Sequence, residues 1–139
     1  MSKLLKIALP FLLVGGLLAY QFLQPSGPLD IHAAETEVTV NASGLYTSFE
    51  TDETAANAAY VGKVIEVSGQ LNAIEQDADG AYQLLLAADN PLGQVVCTLA
   101  DGTAAGLADA TIGTTATVKG VCTGYLFDVV VDNATLLSQ

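Results

Sequence analysis

Residues Lys63–Ile74 place the strongest constraint on how this chain can fold. Ile65, Val67 and Leu71 share one parity, and Glu66, Ser68, Gln70 and Asn72 share the other. A period of two puts one row of side chains in a core and the other in water, which is the pattern of a half-buried strand. Gly69 stands in the middle of it, where a strand loses packing but gains the freedom to bend or bulge. A long strand with such a hinge can serve two sheets at once. The segment therefore predicts a strongly curved sheet.

The same parity analysis yields four more strands downstream. Tyr82–Ala88 places Tyr82, Leu84 and Leu86 on one side, and Gln94–Leu99 does so with Val95, Cys97 and Leu99. Thr114–Cys122 aligns Ala116, Val118 and Cys122, and Gly124–Leu137 aligns Phe127, Val129 and Val131 opposite Asp128 and Asp132. Asp77–Gly80 and Asp89–Gly93 are turns, and the Ala/Gly-rich stretch Asp101–Ile112 is a short helix or a loop. Before the strands, Val38–Tyr60 offers two short helices. Asn41 or Ser43 is a cap for the first, Thr51 is a cap for the second, and Leu45, Phe49 and Tyr60 are available for packing. Five strands with a bent first strand and an insert between the third and fourth predict a mainly β fold. The expected form is a five-stranded OB-type barrel preceded by one or two short α-helices.

The N-terminus obeys a different rule. Ile7–Leu23 carries no charge over 17 residues and follows Lys3 and Lys6. At about 1.5 Å per residue it spans about 26 Å of helix, and Leu4 and Leu5 extend it toward a hydrocarbon core of ~30 Å. Gln21–Pro25 lacks the small residues that signal-peptide cleavage needs, and Tyr20 stands where a lipoprotein signal would carry cysteine. The expectation is an uncleaved transmembrane anchor over residues 1–24, a linker over 25–37 and the barrel domain over 38–139. The flanking lysines place the N-terminus in the cytoplasm and the domain outside, periplasmic or extracytoplasmic. Secretion after cleavage is the alternative.

Charge narrows the function. Beyond Leu23 there are two lysines, Lys63 and Lys119, no arginine, and all fifteen carboxylates of the chain, a net charge of −13. Such a surface repels phosphate backbones and anionic headgroups. The only histidine, His32, lies in the linker, and no nucleophile–base set or phosphate loop is present. The chain is accordingly not expected to be an enzyme or to carry a cofactor. Glu75–Gly80 resembles the start of a calcium loop, but Leu86 occupies the position of the required twelfth ligand, so a polar hairpin turn is the plainer reading.

Phe49-Glu50-Thr51-Asp52-Glu53, Ala56-Asn57, Tyr60-Val61-Gly62-Lys63 and Val67-Ser68-Gly69 resemble the opening of the bacterial tRNA-anti-like OB-fold family. Val96-Cys97, Gly113 followed by Val118-Lys119-Gly120, Cys122-Thr123-Gly124 and Asp128–Ala134 continue the resemblance, which covers about residues 40–137. It implies an OB barrel in a small exported or membrane-anchored protein, and it implies no demonstrated nucleic-acid binding.

In such a barrel the first and fourth strands pair antiparallel, which brings Lys63 and Lys119 into one region. With Tyr125 they are the candidate ligand-facing residues. The competing reading is that both lysines are structural and paired with nearby carboxylates. Cys97 and Cys122 both have core parity, and a disulfide between the third strand and the fourth-to-fifth turn is expected, with two buried thiols as the alternative. The expected function is that of a membrane-tethered, non-enzymatic OB-fold binding module of the bacterial cell envelope. It would contact the membrane through residues 4–23 and an unidentified envelope protein or small ligand through the barrel. Binding of nucleic acid or an oligosaccharide is the alternative. Nucleic acid is disfavoured because the basic groove and stacking aromatics that single strands require are missing.

Overall fold

In the computed structural model, which describes residues 29–139 other than Gly102, the alternating segments become strands that close on themselves. The elements are β1 (Val38–Asn41), α1 (Ala42–Thr51), α2 (Glu53–Tyr60), β2 (Val64–Gln76), β3 (Tyr82–Asn90), β4 (Gly93–Leu99), a 3-10 turn at Ala104–Leu107, β5 (Thr115–Leu126) and β6 (Asp128–Ser138). The sheet order is β1-β2-β3-β4-β6-β5, and a further β2–β5 pairing closes the barrel. β4 and β6 run parallel, and the other barrel neighbours are antiparallel.

β2 serves both halves of the barrel as its hinge predicts. Val64–Gln70 pairs with β5 and Leu71–Gln76 with β3, with a register shift between Leu71 and Ala73. Gly69 stands at the handover. A Cβ there would lie 2.8 Å from the Cβ of Ala42, closer than two carbons can approach, so glycine also lets the start of α1 lie on the strand. Ile65, Val67, Leu71, Leu84, Leu86, Val95, Val118, Val129 and Val131 fill the interior, and Leu45, Tyr46 and Phe49 of α1 join the same cluster. Both helices begin with side-chain caps. Asn41 accepts from the Gly44 amide, and Asp52, not the anticipated Thr51, accepts from that of Ala55.

Tertiary contacts change several of the expectations. Val38–Asn41 adds a sixth strand, parallel to β2, where no strand was expected. The fourth strand runs on to Leu126, with Thr123-Gly124 absorbed as an irregularity in its pairing with β6. The reversal occurs at Phe127, which is exposed at the turn and not in the core as its parity implied.

The segment expected as linker is described from Leu29 onward, and there it lies on the barrel. Ile31 is buried. The Glu37 carboxylate accepts from the Val64 amide, and the Asn133 side chain donates to the Leu29 carbonyl at 2.8 Å. The expected anchor, residues 1–24, lies outside the described residues. Among the described residues no helix is long and apolar enough to cross a membrane.

Candidate interaction surface at the barrel apex

The residues singled out from the sequence do not assemble into a ligand site. Lys119 is buried on β5 opposite Glu66 of β2, and its ammonium donates to the Ala34 carbonyl, so it fastens the 29–37 segment across the barrel wall. The carboxylate partner expected for it is replaced by a backbone oxygen. Lys63 is half-buried at the entrance to β2, where its carbonyl accepts from the Cys122 amide. The β2–β5 pairing does bring the lysines into one region, but three residues apart and on opposite parities, so they do not converge on an anion.

Tyr125 is half-buried and packs against the core. Its ring stacks on Phe49 at 5.7 Å and meets the edge of Tyr46 at 5.7 Å. The nearby Tyr125 hydroxyl combines with burial to push the Tyr46 phenol up to about 12.

Cys97 and Cys122 are free thiols, so the expected disulfide is corrected to two buried cysteines. The register gives the reason. Cys97 of β4 and Cys122 of β5 both lie opposite Val131 of β6, so β6 runs between them. Strands are ~4.8 Å apart, and two strands' separation exceeds the ~6.8 Å upper limit for bonded Cα atoms even in a curved wall. Burial pushes the Cys97 thiol up to about 12, with Asp132 adding to it, and burial pushes that of Cys122 up to about 11.

In the unfolded chain both thiols ionise near 9, so between pH 9 and 12 the unfolded state loses protons that the folded state keeps. The stabilising contribution is complete below pH 9 and is lost as pH rises. Urea midpoints should therefore fall from pH 8 to pH 10 by more than they do in a Cys97→Ala/Cys122→Ala variant, and a thiol reagent at pH 8 should label the native protein only as fast as it unfolds. Rapid labelling of folded protein would contradict both burial and register.

The surface feature that parity analysis missed lies where two turns meet. Leu92, in the β3–β4 turn, is 82% exposed, and Leu126 and Phe127, at the β5–β6 turn, are each 78% exposed. The turns are braced against each other from below. The Tyr46 hydroxyl donates to the Phe127 carbonyl at 3.0 Å, and Asp128 accepts from the Gln94 amide. A Cβ on Gly93 would fall 2.2 Å from the Tyr46 hydroxyl and 2.5 Å from the Phe127 carbonyl, so the junction closes only around glycine. One signal for this apex was present in the sequence: Tyr125-Leu126-Phe127 puts three large apolar residues in a row, which one buried face cannot take.

Carboxylates lie beside the apex. Asp89 accepts from the Ser43 hydroxyl, Glu50 accepts from the Asn90 amide, and a polar groove beside the turns is lined by Asn72, Asp89, Asn90, Gln94 and Asp128. At the opposite end of the barrel, the loop that resembled a calcium site is a self-contained turn, with Asp77 accepting from the amides of Asp79 and Ala81.

Residues 3–136 match the family model described as tRNA_anti-like. A solved structure similar to this chain is that of a lipoprotein from Klebsiella pneumoniae to which nucleic-acid binding is attributed. The TM-score is 0.59 at 17% identity, covering 80% of this chain and 99% of that one. The yeast Stn1 and Ten1 structure matches at a TM-score of 0.46 and 11% identity, covering 79% of this chain and 66% of that one. No curated protein matches the chain.

Proposed function

Because the chain belongs to the tRNA_anti-like family, we propose that it works as a non-enzymatic OB-fold binding module, tethered to the membrane of the bacterial cell envelope by its N-terminal apolar segment. Its partner is a protein, not a nucleic acid. One observation carries that choice. The barrel domain has two cations, and Lys119 is buried and committed to the Ala34 carbonyl, so the surface has no basic track for a phosphate backbone. The nucleic-acid binding attributed to the Klebsiella protein does not transfer at 17% identity, since a likeness of that degree concerns the fold. The tether rests on the uncharged run Ile7–Leu23 behind Lys3 and Lys6.

Two measurements on the full-length chain test this reading. After membrane fractionation the protein should stay in the pellet through an alkaline carbonate wash, and release into the supernatant would remove the tether. Fluorescence anisotropy of labelled single-stranded DNA and RNA should show no saturable binding below about 0.1 mM even at low salt. Tighter binding that weakens steeply as salt is raised would replace the protein partner with a nucleic acid.

A further inference from the structure

We propose that the apex formed by Leu92, Leu126 and Phe127 is the docking surface, and that its occupant is a protein presenting an apolar pocket rimmed by basic side chains. This inference rests on the binding-module reading above and assigns the surface and the chemistry of the partner.

Three independent observations converge on the apex. The first is conformational. Phe127 has a φ of 65°, a left-handed backbone that glycine or asparagine adopts at little cost and that a bulky aromatic residue rarely takes. An aromatic side chain placed there normally recovers the cost by burial, but Phe127 is 78% exposed. Neither turn chemistry nor packing accounts for its presence, and strained, exposed residues of this kind gather at functional sites. Leu92 and Leu126 are likewise exposed on turns that are locked together, so the apex is rigid before it meets anything.

The second observation is electrostatic. Glu50, Asp89 and Asp128 lie on the elements that carry or brace the apex, and α1, β3, β4 and β6 contain no lysine or arginine. A partner that buries exposed apolar side chains beside these carboxylates gains most if its own rim is basic. A second copy of this chain would bring a second set of carboxylates against the first.

The third is position. The described chain enters at Leu29, held by Asn133 and lining a recess with Ala100, Asp101 and Thr103 just beyond the C-terminal end of β4. The apex adjoins Gly93, at the N-terminal end of the same strand. Along seven residues of β4 these ends are about 20 Å apart. The described chain thus begins at the end of the barrel opposite the apex, so its N-terminal stretch leaves Leu92, Leu126 and Phe127 uncovered.

The test is site-specific photo-crosslinking of the full-length chain in intact host cells, with p-benzoylphenylalanine at position 127 and, in a separate strain, at Tyr82 on the opposite end of the barrel. Irradiation should join position 127 to one other protein, through a partner peptide in which lysine or arginine flanks apolar residues. The pair Glu50→Lys and Asp89→Lys should lower that yield about tenfold. Phe127→Gly, with the probe moved to position 126, should lose the adduct while keeping the urea midpoint at or above that of the unsubstituted chain. That result separates loss of docking from loss of fold. An adduct to lipid, an adduct to a second copy, insensitivity to charge reversal, or no adduct from position 127 overturns the proposal. Protein adducts from Tyr82 with none from 127 would overturn the apex and leave the binding-module reading standing.

Discussion

Phe49→Ala should destabilise the protein by about 3–5 kcal/mol, the cost of truncating a fully buried aromatic side chain. Phe49 is 1% exposed and stands between two other rings, stacked on Tyr125 at 5.7 Å and tilted against Tyr60 at 6.0 Å. It is the largest fully buried side chain of α1, the helix whose Leu45, Tyr46 and Phe49 join the barrel core. Truncation leaves Tyr125 and Tyr60 without a neighbour on one side, and the barrel wall is too rigidly paired to collapse inward. Against a total stability of roughly 5–15 kcal/mol the loss is a large fraction, and it should lower the melting temperature by roughly 10–20 °C. Urea unfolding followed by circular dichroism gives the number directly. A change under about 1 kcal/mol would mean that α1 is not part of the cooperative core.

Gly93→Ala should come next, at about 2–3 kcal/mol, and should damage the apex as well as the fold. The added methyl would lie 2.2 Å from the Tyr46 hydroxyl and 2.5 Å from the Phe127 carbonyl. The tyrosine can swing away only by giving up its bond to Phe127, and the carbonyl can move only with the β5–β6 turn. Either response separates the β3–β4 turn from the β5–β6 turn. Tyr46→Phe provides the comparison, since it removes the same hydrogen bond without adding bulk and should cost only about 1 kcal/mol. If Gly93→Ala proves no more destabilising than Tyr46→Phe, the turns are not locked in the way the close approach at Gly93 implies.

These two positions show how unevenly the sequence can be decoded. Phe49 was legible, because an apolar residue four positions beyond Leu45 on a capped helix shares its apolar face. The hinge at Gly69 was legible, because a glycine inside an alternating run marks a bend or bulge, whereas its second role under α1 was not. Gly93 appeared only as a turn residue, and nothing local shows that a tyrosine hydroxyl 47 positions earlier in the chain occupies the space of its missing side chain. Phe127 was misplaced for a related reason. Parity counting carried the fifth strand back to Gly124, whereas pairing with β6 extends β5 to Leu126 and leaves Phe127 alone at the reversal. The thiols follow the same logic. Inward parity of Cys97 and Cys122 was correct, but parity does not report which strand lies between them.

The sequence by itself determined the barrel strands, most of their inward faces, the hinge and the acidity of the domain. All of these follow from residue type and spacing within one segment, because burial and local backbone preference act over a few residues. Tertiary structure alone decided that Val38–Asn41 joins the sheet, that Lys119 is consumed in fastening residues 29–37, that β6 separates the cysteines, and that the β3–β4 and β5–β6 turns meet. Each of these depends on which distant segments share a wall or an end of the barrel. Closure of the barrel fixes that through a register summed over all its strands, which no single stretch of sequence contains.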